Sequence, residues 1–431
     1  MTQHTDRMTV VDIARPHGGE RWITVPAVMM IASMATLTRS YVAIKLSFLA
    51  LFLLASMVSV FLGTKRLVVY PRLVWFYLWI GLAGVAWAFV GVLHPGNYVQ
   101  GDLDAFRLYV VWSAAFVVLY MLLRAGPSLH VMHNAIVIAG ILIPLINLAG
   151  FYDEFTGMGL ISDGIRQELE MEIGFWHGYP QFNSSNISAM FVIAPYLLSL
   201  QFRADAGRSN SVLTKLALLL SLILVVVSGR RALWIVVALT PCTILLLSRF
   251  VDSYGLMRVW AKRFLVVCGA GGVLGMSMLL ILPESGADVG VIPRIKYAFS
   301  SDDERAIQGP YLIRAFMKSP ILGSGFGGYA GYERNDLRPW TYELTYQRML
   351  FNMGIVGTAF LLTVFSVYLL FVLKLLRRFK DGSAIPFGLL VAFCSLLVGA
   401  YSDPYFSGFD TLFFGGLLPY LSTFGRGFDQ P

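Results

Sequence analysis

The residues best suited to chemistry lie in Thr341-Tyr342-Glu343-Leu344-Thr345-Tyr346-Gln347-Arg348, which runs directly into the apolar stretch 349–373. A helix from Glu343 to Leu373 rises about 45 Å at 1.5 Å per residue. A bilayer core is about 30 Å thick, so the carboxylate is expected at the rim of a span. Helical periodicity sets Glu343, Tyr346, Leu350, Gly354 and Gly357 near one face, where the glycines would let a neighbouring helix approach. The plainer alternative is an acid favoured in a first turn by the helix dipole. Arg230 and Arg231 form the second group, following Ser228-Gly229 at the end of another apolar run. Guanidinium groups stay charged and bind phosphate oxygens bidentately. Simple snorkelling to an interface is the competing account, but paired arginines on the outward side favour an anionic ligand.

Placing these groups requires the elements around them. Hydrophobic residues make up 57% of the 431-residue chain and charged residues 13%, against about a quarter charged in a soluble domain. The expectation is therefore an all-α polytopic membrane protein, residues 1–431 forming one membrane domain. Apolar runs of span length cover 22–37, 41–62, 73–93, 108–123, 131–150, 185–200, 212–228, 232–248, 264–282, 349–373, 385–400 and 409–424, about twelve transmembrane helices. The first is read as a span and not a signal peptide, because no small-x-small cleavage site follows it.

Lys65, Arg66, Arg72, Arg124, Arg203, Arg208, Lys215, Arg249, Arg258, Lys262, Arg263, Lys374, Arg377, Arg378 and Lys380 fall in alternate loops. The positive-inside rule puts those loops in the cytoplasm. The intervening loops face outward: 94–105, 151–184, 229–231, 283–341 and 401–408. Two are long, the acidic first loop 151–184 and the mixed-charge large loop 283–341, in which 309–318 is expected to form a helix opened by Pro310. The net charge of +8 thus reports topology, and no nucleic-acid motif accompanies it. The glycine-rich segment 319–329 is read as a turn, since no strand precedes it and no P-loop lysine follows. Cys242, Cys268 and Cys394 lie in apolar runs without metal-ligand spacing, and His94, His130, His133 and His177 do not cluster. His130 and His133 are read as interfacial and without partners. No metal and no cofactor is expected.

Four local patterns, in order and on one predicted side, resemble the O-antigen ligase and Wzy-type polysaccharide polymerase superfamily of inner-membrane glycosyltransferases. Asn183-Ser184-Ser185-Asn186-Ile187-Ser188-Ala189 looks like its asparagine-rich entry to a span. Ser228-Gly229-Arg230-Arg231-Ala232 looks like its serine–arginine turn. Pro320-Ile321-Leu322-Gly323-x-Gly325-x-Gly327 looks like its glycine turn. Glu343-x10-Gly354-x-x-Gly357-Thr358 looks like the signature closing its large periplasmic loop. Ligases that act on lipid A–core carry a histidine where this chain has Glu343, a departure that leans toward a polymerase.

The resemblance implies a GT-C-like fold in the bacterial inner membrane with its active face periplasmic. It implies an undecaprenyl-pyrophosphate-linked glycan donor, a glycan acceptor, surrounding membrane lipids, and a flippase and chain-length regulator as partners. An acceptor hydroxyl would attack the anomeric carbon as the lipid pyrophosphate leaves. Arg230 and Arg231 would hold the pyrophosphate and Glu343 would be the general base. Arg166 is the nearest match to the family's first-loop arginine. Arg314, Arg338 and Arg348 would contact phosphate or glycan, and Tyr342 and Tyr346 would stack on sugars. The rival expectations are ligase-type transfer to another acceptor and transport of a lipid or polysaccharide.

Overall fold

The computed structural model describes residues 21–37, 41–62, 69–125, 129–176, 179–202, 211–251, 259, 261–262, 304–333, 338–378, 384–401 and 416–422. The expected span at 264–282, the start of the large loop at 283–303, most of the run at 409–424, Cys268 and His177 lie outside them.

The described chain is mostly helical. Helices α1 (Arg21–Thr36), α2 (Val42–Phe61), α3 (Pro71–Leu93) and α4 (Val99–Phe106) come first. A π-helical turn, Arg107–Val111, joins α4 to α5 (Trp112–Ala125), so half of the outward loop expected at 94–105 is instead the first part of a helix. Then come α6 (Leu129–Thr156), α7 (Asp163–Glu168) and an antiparallel hairpin of β1 (Glu172–Trp176) and β2 (Tyr179–Asn183). The chain continues through α8 (Met190–Gln201), α9 (Val212–Val227) and α10 (Arg231–Ser248). The last elements are α11 (Glu304–Lys318), α12 (Thr345–Arg378), α13 (Ala384–Gly399) and α14 (Leu417–Ser422). Among the described residues six helical stretches are long and apolar enough to cross a membrane, and four shorter apolar helices accompany them.

α8 and α13 form the centre. Nearly every residue of both is buried, the pattern of a helix that is apolar all round. They run antiparallel, with Gly388 against Tyr196 and Ser199 at one end and Gly399 against the Phe191 ring at the other. Glycine is what lets helices lie this close. α6, α9 and α10 pack around the pair, and α3, α5, α12 and α14 form the adjoining group. His133, expected at an interface without partners, is instead buried within the second turn of α6, its Nδ1 2.9 Å from the Tyr196 hydroxyl.

α12 departs from expectation in two ways. It starts at Thr345, so Glu343 precedes the helix instead of sitting in its first turn. It also breaks at Gly354, which takes φ 63° and ψ −170°, a conformation open to glycine almost alone. The break resets the helical phase, so Glu343, Tyr346, Leu350, Gly354 and Gly357 do not form one continuous stripe. The glycine turn fills the gap. Ser324 and Gly325 donate backbone N–H bonds to the Phe351 and Asn352 carbonyls at 3.0 and 2.9 Å. Ile355 and Val356 donate to the Pro320 and Ile321 carbonyls at 2.8 and 3.1 Å. Four backbone groups freed by the break are thus paired, as apolar surroundings demand. Gly357 does admit a neighbouring helix: an added Cβ would stand 2.5 Å from the Trp87 ring of α3.

The turn is also tied to α3 and α4. Trp87 Nε1 donates to the Leu322 carbonyl at 2.8 Å, and Asn97 Nδ2 to the Ser324 carbonyl at 2.5 Å. The Gly327 N–H donates to the buried Asp102 carboxylate at 2.9 Å. The glycines at 91 and 327 leave room for that carboxylate and the Tyr98 carbonyl.

Candidate active site

Glu343 is held by α11. Arg305 Nε donates to Glu343 Oε2 at 2.8 Å. One turn on, Gln308 Oε1 accepts from the Glu343 N–H at 2.8 Å and from the Leu344 N–H at 3.3 Å. Gln308 is wholly buried, and its Nε2 has no hydrogen-bond partner among the described residues. Those two backbone bonds orient the amide, since only its oxygen can accept. Leu312 continues the same helical face into a small cluster with Tyr342, Leu344 and Phe351. α11 thus carries its charged, amide and apolar contacts with the Glu343 segment at i, i+3 and i+7. It begins at Glu304, earlier than expected, with Pro310 inside it.

Tyr342 does not match the expected sugar-stacking role. Its ring is 0% exposed and packs edge-on against Phe351, leaving no open face. Its hydroxyl accepts from the Ala330 N–H at 2.7 Å, and burial pushes its pKa up to about 12. Tyr346 is half-buried and donates to the Leu397 carbonyl of α13 at 2.5 Å. Arg348, half-buried in the first turns of α12, faces Tyr109 and Tyr342. No carboxylate pairs with it among the described residues. Arg314 and Arg338 are exposed, Arg314 lying 6.0 Å from the Tyr311 ring centre.

Arg230 caps the start of α10 after Gly229, whose φ of 64° turns the chain between α9 and α10. Its Nη2 donates to Asn183 Oδ1 and, at 3.3 Å, to the Ser184 carbonyl. These acceptors are neutral, so its charge is not cancelled there. Arg231 is half-buried beside it. The asparagine motif forms the support beneath. Asn147 Nδ2 donates to Asn186 Oδ1 at 2.8 Å, Ser184 Oγ donates to Asn147 Oδ1 at 2.5 Å, and Asn186 Nδ2 donates to the Thr36 carbonyl at 3.0 Å. Asn147 carries no local motif, so the sequence did not single it out.

Arg166 is different. Its guanidinium donates to Asp153 at 2.7 Å and Glu154 at 2.5 Å, and these hydrogen-bonded carboxylates raise its pKa further. Two acids more than match one cation, so the pair brings no net positive field to a phosphate. The substrate-binding role expected of Arg166 is not supported by this geometry. Among the described residues no group of three or more His, Cys, Asp or Glu side chains is placed to hold a metal ion.

A chain of contacts relates the arginines to Glu343. Arg230 bonds Asn183 and Ser184 just before α8. The start of α8 meets the end of α13 at Phe191 and Gly399. The end of α13 bonds Tyr346, at the start of α12. Arg230 and Glu343 therefore stand at the same end of the bundle. At the opposite end Arg377 of α12 bonds the Phe250 carbonyl after α10, and the Arg72 guanidinium lies 5.0 Å from the Phe371 ring centre. No protein-family model matches the chain, and no curated protein matches it.

Proposed function

We propose that the chain is a membrane glycosyltransferase that joins undecaprenyl-pyrophosphate-linked oligosaccharide repeat units into exopolysaccharide, capsule or O-antigen at the periplasmic face. The supporting observation is the placement of Arg230 and Arg348, neither matched by a carboxylate among the described residues, at the same end of the bundle as Glu343. In this reading the two guanidiniums and Arg231 hold the pyrophosphate and stabilise it as it leaves. Glu343 takes the proton of the attacking sugar hydroxyl, and Arg305 keeps the carboxylate in place. The new glycosidic bond forms as the bond from the anomeric carbon to the phosphate oxygen breaks.

Purified protein supplied only with lipid-linked repeat units is expected to give a ladder of extended products. Glu343→Gln should lower the rate at least about a hundredfold with the protein still inserted. Arg230→Ala should raise the KM for the donor. A ladder made at the wild-type rate by Glu343→Gln removes the base assignment. Extension seen only with a foreign acceptor gives the ligase reading instead.

One observation favours transport as a second reading: the broken helix α12, a form that transporters use at their binding sites. Against it, backbone groups on both sides of the break are taken up by residues 320–325. Flipping of the lipid-linked unit that survives Glu343→Gln would favour the transporter.

A further inference from the structure

α11 has two apolar faces, and only one is covered. Arg305, Gln308, Leu312 and Phe316 turn toward the Glu343 segment. On the other side Ile307 is 53% exposed, Ile313 42% and Met317 67%. Arg314 and Lys318, both exposed, lie on the same side toward the helix C-terminus, Arg314 two turns beyond Ile307. Large apolar side chains gathered on an open surface mark an interaction site.

The strip does not stand alone. Ile321 and Leu322 follow it and are also exposed, and the Leu322 carbonyl is bonded to Trp87 of α3. α3 is a candidate span, and its last turns expose Phe89, Val92 and Leu93. The open face of α11 is therefore joined through 321–322 to the apolar surface at one end of a spanning helix. A lipid surface fits such a strip: an apolar face with flanking basic residues is the pattern of a helix lying in a membrane interface. Arg314 and Lys318 suit anionic headgroups.

We propose that α11 lies on the membrane surface, with Ile307, Ile313 and Met317 in the acyl boundary and Arg314 and Lys318 on anionic headgroups. Its opposite face then fixes Glu343 relative to that surface through Arg305 and Gln308. The docking itself does not depend on the glycosyltransferase reading.

The test uses the full chain with Cys242, Cys268 and Cys394 changed to alanine, reconstituted in phosphatidylethanolamine–phosphatidylglycerol vesicles. A polarity-sensitive fluorophore is attached at Ile313→Cys or Met317→Cys, exposed positions at which labelling leaves the core untouched. Strong quenching by lipids carrying a nitroxide high on the acyl chain, at least twice that by aqueous iodide, is expected. Arg314→Glu with Lys318→Glu should reduce the lipid quenching, and replacing phosphatidylglycerol with phosphatidylcholine should do the same. Quenching by iodide and not by lipid overturns the proposal. Protection from both quenchers also overturns it, by showing that a protein, such as a second copy of the chain, covers the face. Loss of the polymerase reaction in the assay above leaves these outcomes unchanged, so the two readings fail separately.

Discussion

Arg166 and Arg230 carry the same charge but stand in opposite electrostatic settings. Arg166 meets two carboxylates, one of them on Asp153, which is 1% exposed; Arg230 meets an amide and a carbonyl. Arg166→Ala should therefore act on stability. Asp153 keeps its bonds from the Leu160 and Ile161 N–H groups but loses its cation, which leaves its carboxylate less well matched. A thermal midpoint lowered by a few degrees with an unchanged donor KM is the expected result, and the reverse pattern would restore Arg166 to the site. Gln308 makes the complementary case. Gln308→Met keeps its bulk but removes the oxygen that accepts from the Glu343 and Leu344 N–H groups. It should lower kcat about ten- to a hundredfold, as small displacements of a reacting group do, with the donor KM nearly constant. Gln308→Glu restores the acceptor and should recover most of the rate. Nothing in the sequence around Gln308 announces this role, because its partners lie 35 and 36 residues away. The motif arginines were legible for the opposite reason: Arg230 and Arg231 sit where charge sorting least explains them.

At the scale of elements the glycines divide by function. Gly388 and Gly399 are there for packing, whereas Gly354 is there for its backbone. Its left-handed φ costs a non-glycine residue about 1–3 kcal/mol, and an added Cβ would also strike the Ile321 carbonyl. Gly354→Ala should lower stability by about 3 kcal/mol or more, measured as a fall in thermal midpoint in detergent. A midpoint within a degree of wild type would mean that α12 straightens without penalty. In the sequence Gly354 and Gly357 look alike, two small residues on one helix face. Spacing alone does not distinguish a packing glycine from a breaking one. The distinction lies in the 320–325 turn, whose N–H and C=O groups make the break affordable in apolar surroundings.

At the scale of the whole molecule, contacts among the described residues of the segments expected to face outward gather at one end of the bundle, and Arg72 and Arg377 stand at the other. Tyr41 approaches Glu168, Thr36 meets Asn186, and Arg377 meets Phe250. On the proposed orientation, in a chain free of native cysteines, Asp163→Cys and Glu333→Cys should react with an impermeant thiol reagent applied to the periplasmic side. Lys215→Cys and Lys374→Cys should react only after permeabilisation. A mixed pattern would overturn the assignment of faces. The sequence by itself determined that the described chain is mostly apolar helix and where most of those helices lie, because a segment that crosses a bilayer has to be long, apolar and internally hydrogen-bonded. It also grouped the loops by charge. Only the tertiary structure decided which arginine is neutralised, where α12 breaks, and that α11 holds Glu343 from the far side of the large loop. Those outcomes depend on hydrogen bonds and ion pairs between segments distant in sequence, and a local pattern of residues carries no record of them.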